Sequence, residues 1–120
     1  MTNLFINFKK FAVGLDDITN FYGGDLYNIE VDEVVNVSAD DVIQAINYLL
    51  NKTIGIQQLV DWINIICFTD MFEYNENEED SITSVMYLLE TLDQEDVSFS
   101  NEDYLKMIDS LKNNHECTLW

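Results

Sequence analysis

Residues 38–50 read Ser-Ala-Asp-Asp-Val-Ile-Gln-Ala-Ile-Asn-Tyr-Leu-Leu, and this run decides the fold. A serine hydroxyl followed three residues later by Asp41 is a capping-box start, and Asp40 and Asp41 sit where the positive end of a helix dipole favours acids. Val42, Ile43, Ile46, Leu49 and Leu50 then recur at helical spacing and leave Gln44 and Asn47 outward. The segment from Ser38 to about Asn51 is therefore an amphipathic helix with one apolar side to bury.

Moving toward the C-terminus, Gly55 interrupts the pattern and opens a second helix with Leu59, Trp62, Ile63, Ile66 and Cys67 as its apolar stripe. This helix is apolar on more than one side, which predicts a central position. Within it, Trp62 reads as a core residue and Asp61 as a polar neighbour bonded to a nearby helix end. Residues 73–80, Glu-Tyr-Asn-Glu-Asn-Glu-Glu-Asp, show no periodicity and read as an acidic loop. A third helix is expected from about Ser81 to Leu92, with Ile82, Val85, Met86, Leu89 and Leu92 inward. Ser100 with Asp103 repeats the cap pattern and starts a fourth helix, Asn101 to about Asn113, whose buried edge is Tyr104, Leu105, Ile108 and Leu111.

Before Ser38 the reading is more open. Leu4, Phe5, Phe8 and Phe11 suit a helix, while Leu4, Ile6 and Phe8 also suit a strand. Tyr27, Ile29 and Val31 alternate with polar residues, and Val34, Val35 and Val37 are β-branched, so a short strand or hairpin is expected within residues 26–37, after a turn at Gly23-Gly24. The expected fold class is α+β, predominantly α, with about four helices after residue 37 and a small N-terminal β element. It forms a single domain over 1–120: an N-terminal segment 1–37, a helical region 38–113 and a frayed tail 114–120.

With 48% hydrophobic residues the 120-residue chain can offset its conformational entropy and fold. Its charge is lopsided: 23 Asp and Glu stand against 5 Lys, there is no Arg, and the formal net charge is -18. Phosphate backbones and anionic membranes are held by cations, so direct nucleic-acid binding and membrane-surface binding are excluded as expectations. No apolar run nears the roughly 20 residues a bilayer span needs, and the first residues lack a signal-peptide pattern. Cys67 and Cys117 read as free thiols of a reducing compartment, so the expected location is the cytoplasm.

A search for chemistry gives little. His115 is the single histidine and lies in the polar tail beside Cys117, where a catalytic pair would lack a rigid scaffold. Calcium-loop spacing fails, because from Asp93 the sixth and twelfth positions are Ser98 and Tyr104, and from Asp70 the twelfth is Ser81. No phosphate-binding glycine loop exists. The expectation is a protein with no catalytic residues, no metal and no cofactor.

Between Asp70 and Asp103 there are 12 acids and no lysine. Such concentration costs stability through self-repulsion, and the functional return is fast capture of a basic partner. The candidate partner-binding residues are Glu73, Tyr74, Glu76, Glu78, Glu79, Asp80, Asp93, Glu95, Asp96, Glu102 and Asp103. Tyr74 and Phe72 could serve as anchors or as core.

The run from Val42 to Leu111 resembles small bacterial immunity proteins of polymorphic or contact-dependent toxin systems. It shares with them a helix, a break, Asp61-Trp62, an acidic linker, a helix with paired leucines, Asp96 and then Tyr104-Leu105. The chain departs from that pattern at Phe68, Glu95 and Lys106. The resemblance implies an acidic, cytoplasmic, non-enzymatic inhibitor, a monomer or 1:1 complex, that blocks the active site of a cognate basic toxin, often a nuclease. A phage-encoded DNA mimic that blocks a host nuclease or DNA-binding protein would use nearly the same physics, and an interaction subunit packing through the Trp62 helix is a third possibility.

Overall fold

The computed structural model describes residues 2–11, 34–68, 72–94 and 96–117. The chain is α+β and predominantly helical, with five α-helices and one two-stranded parallel sheet among the described residues. In chain order these are α1 (Thr2–Lys9), β1 (Val35–Val37), α2 (Ala39–Leu50), α3 (Ile56–Phe68), β2 (Phe72–Tyr74), α4 (Glu79–Glu90) and α5 (Asn101–Lys112). Short 3₁₀ turns at Glu76–Glu78 and Thr91–Asp93 bracket α4.

The expected start of α2 is present atom for atom. The Ser38 hydroxyl accepts from the Asp41 amide at 3.3 Å, and the Asp41 carboxylate accepts from the Ser38 amide at 2.8 Å. Ser100 and Asp103 form the same box at the start of α5, with bonds of 3.2 and 3.0 Å. Gly55 precedes α3 and donates its amide to the Gln58 side chain at 3.0 Å.

The α3 helix is central because it buries Leu59, Val60, Trp62, Ile63, Ile65 and Ile66 around much of its circumference. It meets α2 on one side and α4 on another, while α5 closes the bundle against α2 and α4. Val42, Ala45 and Ile46 of α2, Ile82, Val85 and Leu89 of α4, and Met107 of α5 are all fully enclosed. Each of these side chains other than Ala45 contributes roughly 1.5–3 kcal/mol of transfer free energy.

The open question at the N-terminus resolves as a helix, α1, which packs on β1. Lys9 at its end does three jobs: its ammonium pairs with Asp41 at 3.0 Å, donates to the Asn36 carbonyl at 2.9 Å, and its own carbonyl accepts from the Trp62 indole N–H at 2.9 Å. Phe11 adopts a left-handed φ of 64° just beyond and stacks on Trp62 with ring centroids 5.3 Å apart. Trp62 is thus the core residue expected of it, at 1% exposure. Asp61 corrects the expectation, since it accepts from Gln57 one turn earlier in the same helix, at 2.9 Å, and not from another helix end. The strand expected within 26–37 is present as Val35–Val37; residues 26–33 and Gly23-Gly24 lie outside the described residues.

Residues 73–80 are not one aperiodic loop. Phe72–Tyr74 is a strand, paired in parallel with β1 in the register Val35↔Phe72, Asn36↔Glu73 and Val37↔Tyr74, and Glu79 and Asp80 form the first turn of α4. Three residues of strand are too few for alternation to register, and their partner lies beyond two intervening helices. The third helix accordingly begins at Glu79 instead of Ser81, and its last predicted turn, with Leu92, is the 3₁₀ turn.

Two further expectations are overturned. Leu105 is 56% exposed, and Met107 takes its place in the core, because Tyr104, Met107, Ile108 and Leu111 fall on one helical stripe and Leu105 stands about 100° round from it. The tail is not frayed over its described part. Cys117 is buried and its amide donates to Ser84 at 2.8 Å, Asn114 donates to the Asn77 carbonyl at 2.8 Å, and the His115 amide bonds the Ser110 carbonyl at 3.1 Å. Residues 118–120 lie outside the described residues.

Because Lys9 joins α1, β1, α2 and α3, Lys9→Met should lower stability by about 2 kcal/mol, by loss of its charged hydrogen bond to Asn36 and of the cation beside the half-buried Asp41. In urea denaturation the loss should shrink when Asp41→Asn is already present; additive effects of the two substitutions would show that the pair is not coupled.

Candidate binding surface

Acids at the beginning of a helix and acids at its end are physically different. Asp40 and Asp41 on α2, Glu79 and Asp80 on α4, and Glu102 and Asp103 on α5 all stand in first turns, where unpaired amides attract negative charge. These acids stabilise the fold that carries them. Glu90 ends α4 and Asp93 follows in the 3₁₀ turn, against carbonyls of the same sign, with no basic residue in the last turn of α4. There each acid costs, by the same reasoning, about 0.3–1 kcal/mol.

The predicted interface residues divide along these lines. Glu73 on β2 and Glu76 in the first 3₁₀ turn are exposed. Glu78 is turned inward, where its carboxylate accepts from the Ala39 amide at 3.2 Å and from Asn75 at 3.0 Å, so it caps α2 across 39 residues of sequence. Tyr74 is half-buried and its hydroxyl lies 3.3 Å from the Cys67 sulfur; Phe72 is core. Glu79 and Asp80 are exposed at the start of α4. At the other end of α4, Asp93 and Asp96 are exposed, and Asp103 is half-buried. Glu102 is exposed at the start of α5, and Glu95 lies outside the described residues.

The two acidic stretches are not one patch, because the 12 residues of α4 hold their ends roughly 18 Å apart. They are joined by the outer side of α4, along which Asp80, Thr83, Tyr87 and Glu90 recur at three- and four-residue spacing. Tyr87 stands in the middle at 67% exposure, the highest of any large hydrophobic residue described. At the C-terminal end two clefts share Thr91 and Gln94. One, of about 370 Å³, is lined by Asn64, Tyr87, Glu90, Thr91, Asp93 and Gln94. The other, of about 400 Å³, includes Asp96, Val97, Phe99 and Asp103.

Glu90, Tyr87, Asn64 and Gln94 were absent from the sequence-derived set. The available signal was Tyr87, a large aromatic at an outward helical position, and Glu90, an acid at the wrong end of a helix for the dipole. Neither stands out by density of charge along the chain.

Burial raises the Cys67 thiol above its ordinary 9.0, a shift that the Tyr74 bond lowers in part and the Glu90 charge reinforces. Burial likewise raises the Tyr74 phenol above its ordinary 10.0, with Cys67 and Glu90 adding to the effect, and burial with the Asp103 charge raises Tyr104. Both cysteines are free thiols. Among the described residues, no three His, Cys, Asp or Glu side chains converge as metal ligands would, and no helix is long and apolar enough to cross a membrane.

The fold and surface define a small, mostly helical α+β protein with an acidic, cleft-bearing helix face. No protein-family model matches the chain, and neither a curated protein nor a solved structure is significantly similar to it.

Two outcomes separate structural acids and buried acids from surface ones. Glu78→Ala should cost about 1 kcal/mol of unfolding free energy because the Ala39 amide loses its acceptor, whereas Glu76→Ala should change it by less than about 0.5 kcal/mol. Raised thiol and phenol values keep their protons in the folded state after the unfolded chain has lost its own, so stability should be level to about pH 8 and decline above it. Tyr74→Phe should flatten that decline in part, measured by urea unfolding at pH 8 and pH 10.5, conditions that bracket the roughly pH 10 of a free tyrosine.

Proposed function

We propose that this chain acts by binding and not by chemistry, as an acidic cytoplasmic inhibitor of the immunity type. It captures a cognate basic toxin domain, a nuclease being the expected kind, and blocks the surface that would hold substrate phosphates. The observation that carries this reading is the placement of Glu90 and Asp93 at the C-terminal end of α4, beside an exposed Tyr87. Acids that lower the stability of their own helix, next to an aromatic left in water, are accounted for by a partner that supplies the missing cations and covers the ring.

The net charge of -18 acts over distance as well as in contact. It raises the encounter rate with a basic protein and disfavours acidic ones, and it does so without any chemistry by this chain. A DNA-mimicking inhibitor of phage origin would present the same surface, and the neighbouring genes distinguish the two settings.

The test is capture of the partner from native lysate at low salt, followed by association kinetics and a nuclease assay with and without this chain. The association rate should fall at least about tenfold as ionic strength rises from roughly 0.02 to 0.2 M, with a smaller change in dissociation. Rates that stay flat over that range would remove electrostatic steering from the proposal.

A further inference from the structure

We propose that the cleft at the C-terminal end of α4 receives an arginine side chain of a basic partner protein, with Tyr87 as its aromatic wall and Glu90 and Asp93 as its anionic end. This rests on the reading of the chain as a binder of a basic protein and locates where that protein is gripped.

The first ground is what lines the cleft. Its volume is about 370 Å³, and its lining combines two carboxylates, two carboxamides, one hydroxyl and one phenol ring, from Glu90, Asp93, Asn64, Gln94, Thr91 and Tyr87. A guanidinium is planar, carries five N–H donors in a fixed fork, and stacks on aromatic faces; a lysine ammonium is a compact point charge that does neither as well. Carboxylate and amide oxygens beside a ring therefore select arginine.

The second ground is that these groups are uncommitted. The carboxylates of Asp41, Asp61, Glu78, Asp103 and Asp109 are spent on hydrogen bonds inside the chain, while acids such as Glu73 and Glu76 share the freedom of Glu90 and Asp93 but do not line this cleft. Among the described residues, the side chains of Asn64, Glu90, Asp93 and Gln94 make no hydrogen bond or ion pair. The local field is made more negative by the last carbonyls of α4, with no basic residue in that turn to offset them.

The third ground is that the chain contains no arginine, and no lysine lines the cleft. Lys9 is already paired with Asp41 at 3.0 Å. A guanidinium in the cleft therefore comes from another molecule.

The experiment titrates isotope-labelled protein at low ionic strength with a hexa-arginine peptide and, separately, a hexa-lysine peptide, following NMR shifts and affinity. The expected result is shifts concentrated at the Asn64 and Gln94 side-chain amides and the Tyr87 ring, with the arginine peptide bound at least about threefold more tightly. Tyr87→Ala should weaken hexa-arginine binding about fivefold, and Glu90→Gln combined with Asp93→Asn about tenfold. Glu76→Gln combined with Asp80→Asn, at the far end of α4, should leave it within about twofold. Tyr87 and Asp93 are exposed, so the folding of these variants is checked directly from their amide spectra. Shifts centred on residues 73–80, or an unaltered affinity for Tyr87→Ala, would overturn the arginine cleft while leaving the basic-partner reading intact. Failure of both peptides to bind at low salt would overturn that reading and the cleft with it.

Discussion

The structure depends most on one lysine. Lys9 is among only five cations in the chain, and its ammonium and carbonyl together reach α2, β1 and α3. In a protein with a net charge of -18, one ammonium placed against the capping carboxylate of α2 offsets repulsion where two chain segments converge. The backbone carbonyl of the same lysine holds the indole of Trp62, on which Phe11 stacks from its left-handed position. A polar knot and an apolar stack thus share the same few residues, and α1 is held to the rest by both.

Among the described residues the acids resolve into three physical groups. Some acids serve helix beginnings, as in the Ser38–Asp41 and Ser100–Asp103 boxes, and Glu78 extends that service to a helix distant in sequence. Others, such as Glu73 and Glu76, face water. Glu90 and Asp93 form the third group, where the helix dipole opposes them and a cleft stands open beside them. Density of charge along the chain does not separate these groups, because helix polarity and side-chain direction appear only once the elements are placed.

The helices were legible because their signals are local. Capping boxes need residues three apart, and the stripes of α2 and α3 repeat within a dozen residues. The small sheet was half legible: β-branched Val35 and Val37 marked one strand, but its partner Phe72–Tyr74 was hidden inside an acidic run. The same limit explains the tail, since Cys117 and Asn114 are held by Ser84 and Asn77, residues more than 30 positions away. Leu105 was misplaced for a subtler reason, that two adjacent apolar residues can both fit a stripe until the neighbouring helix selects one rotation.

By itself, then, the sequence determined the helical class, the starts of α2, α3 and α5, the burial of Trp62 and the sign of the surface, since each follows from short-range spacing or composition. Tertiary structure alone decided which acids are structural, how the two strands pair and that Tyr87, Glu90 and Asp93 border one cleft. Those outcomes depend on elements distant in sequence meeting in space, and on which way a helix dipole points at the place where they meet.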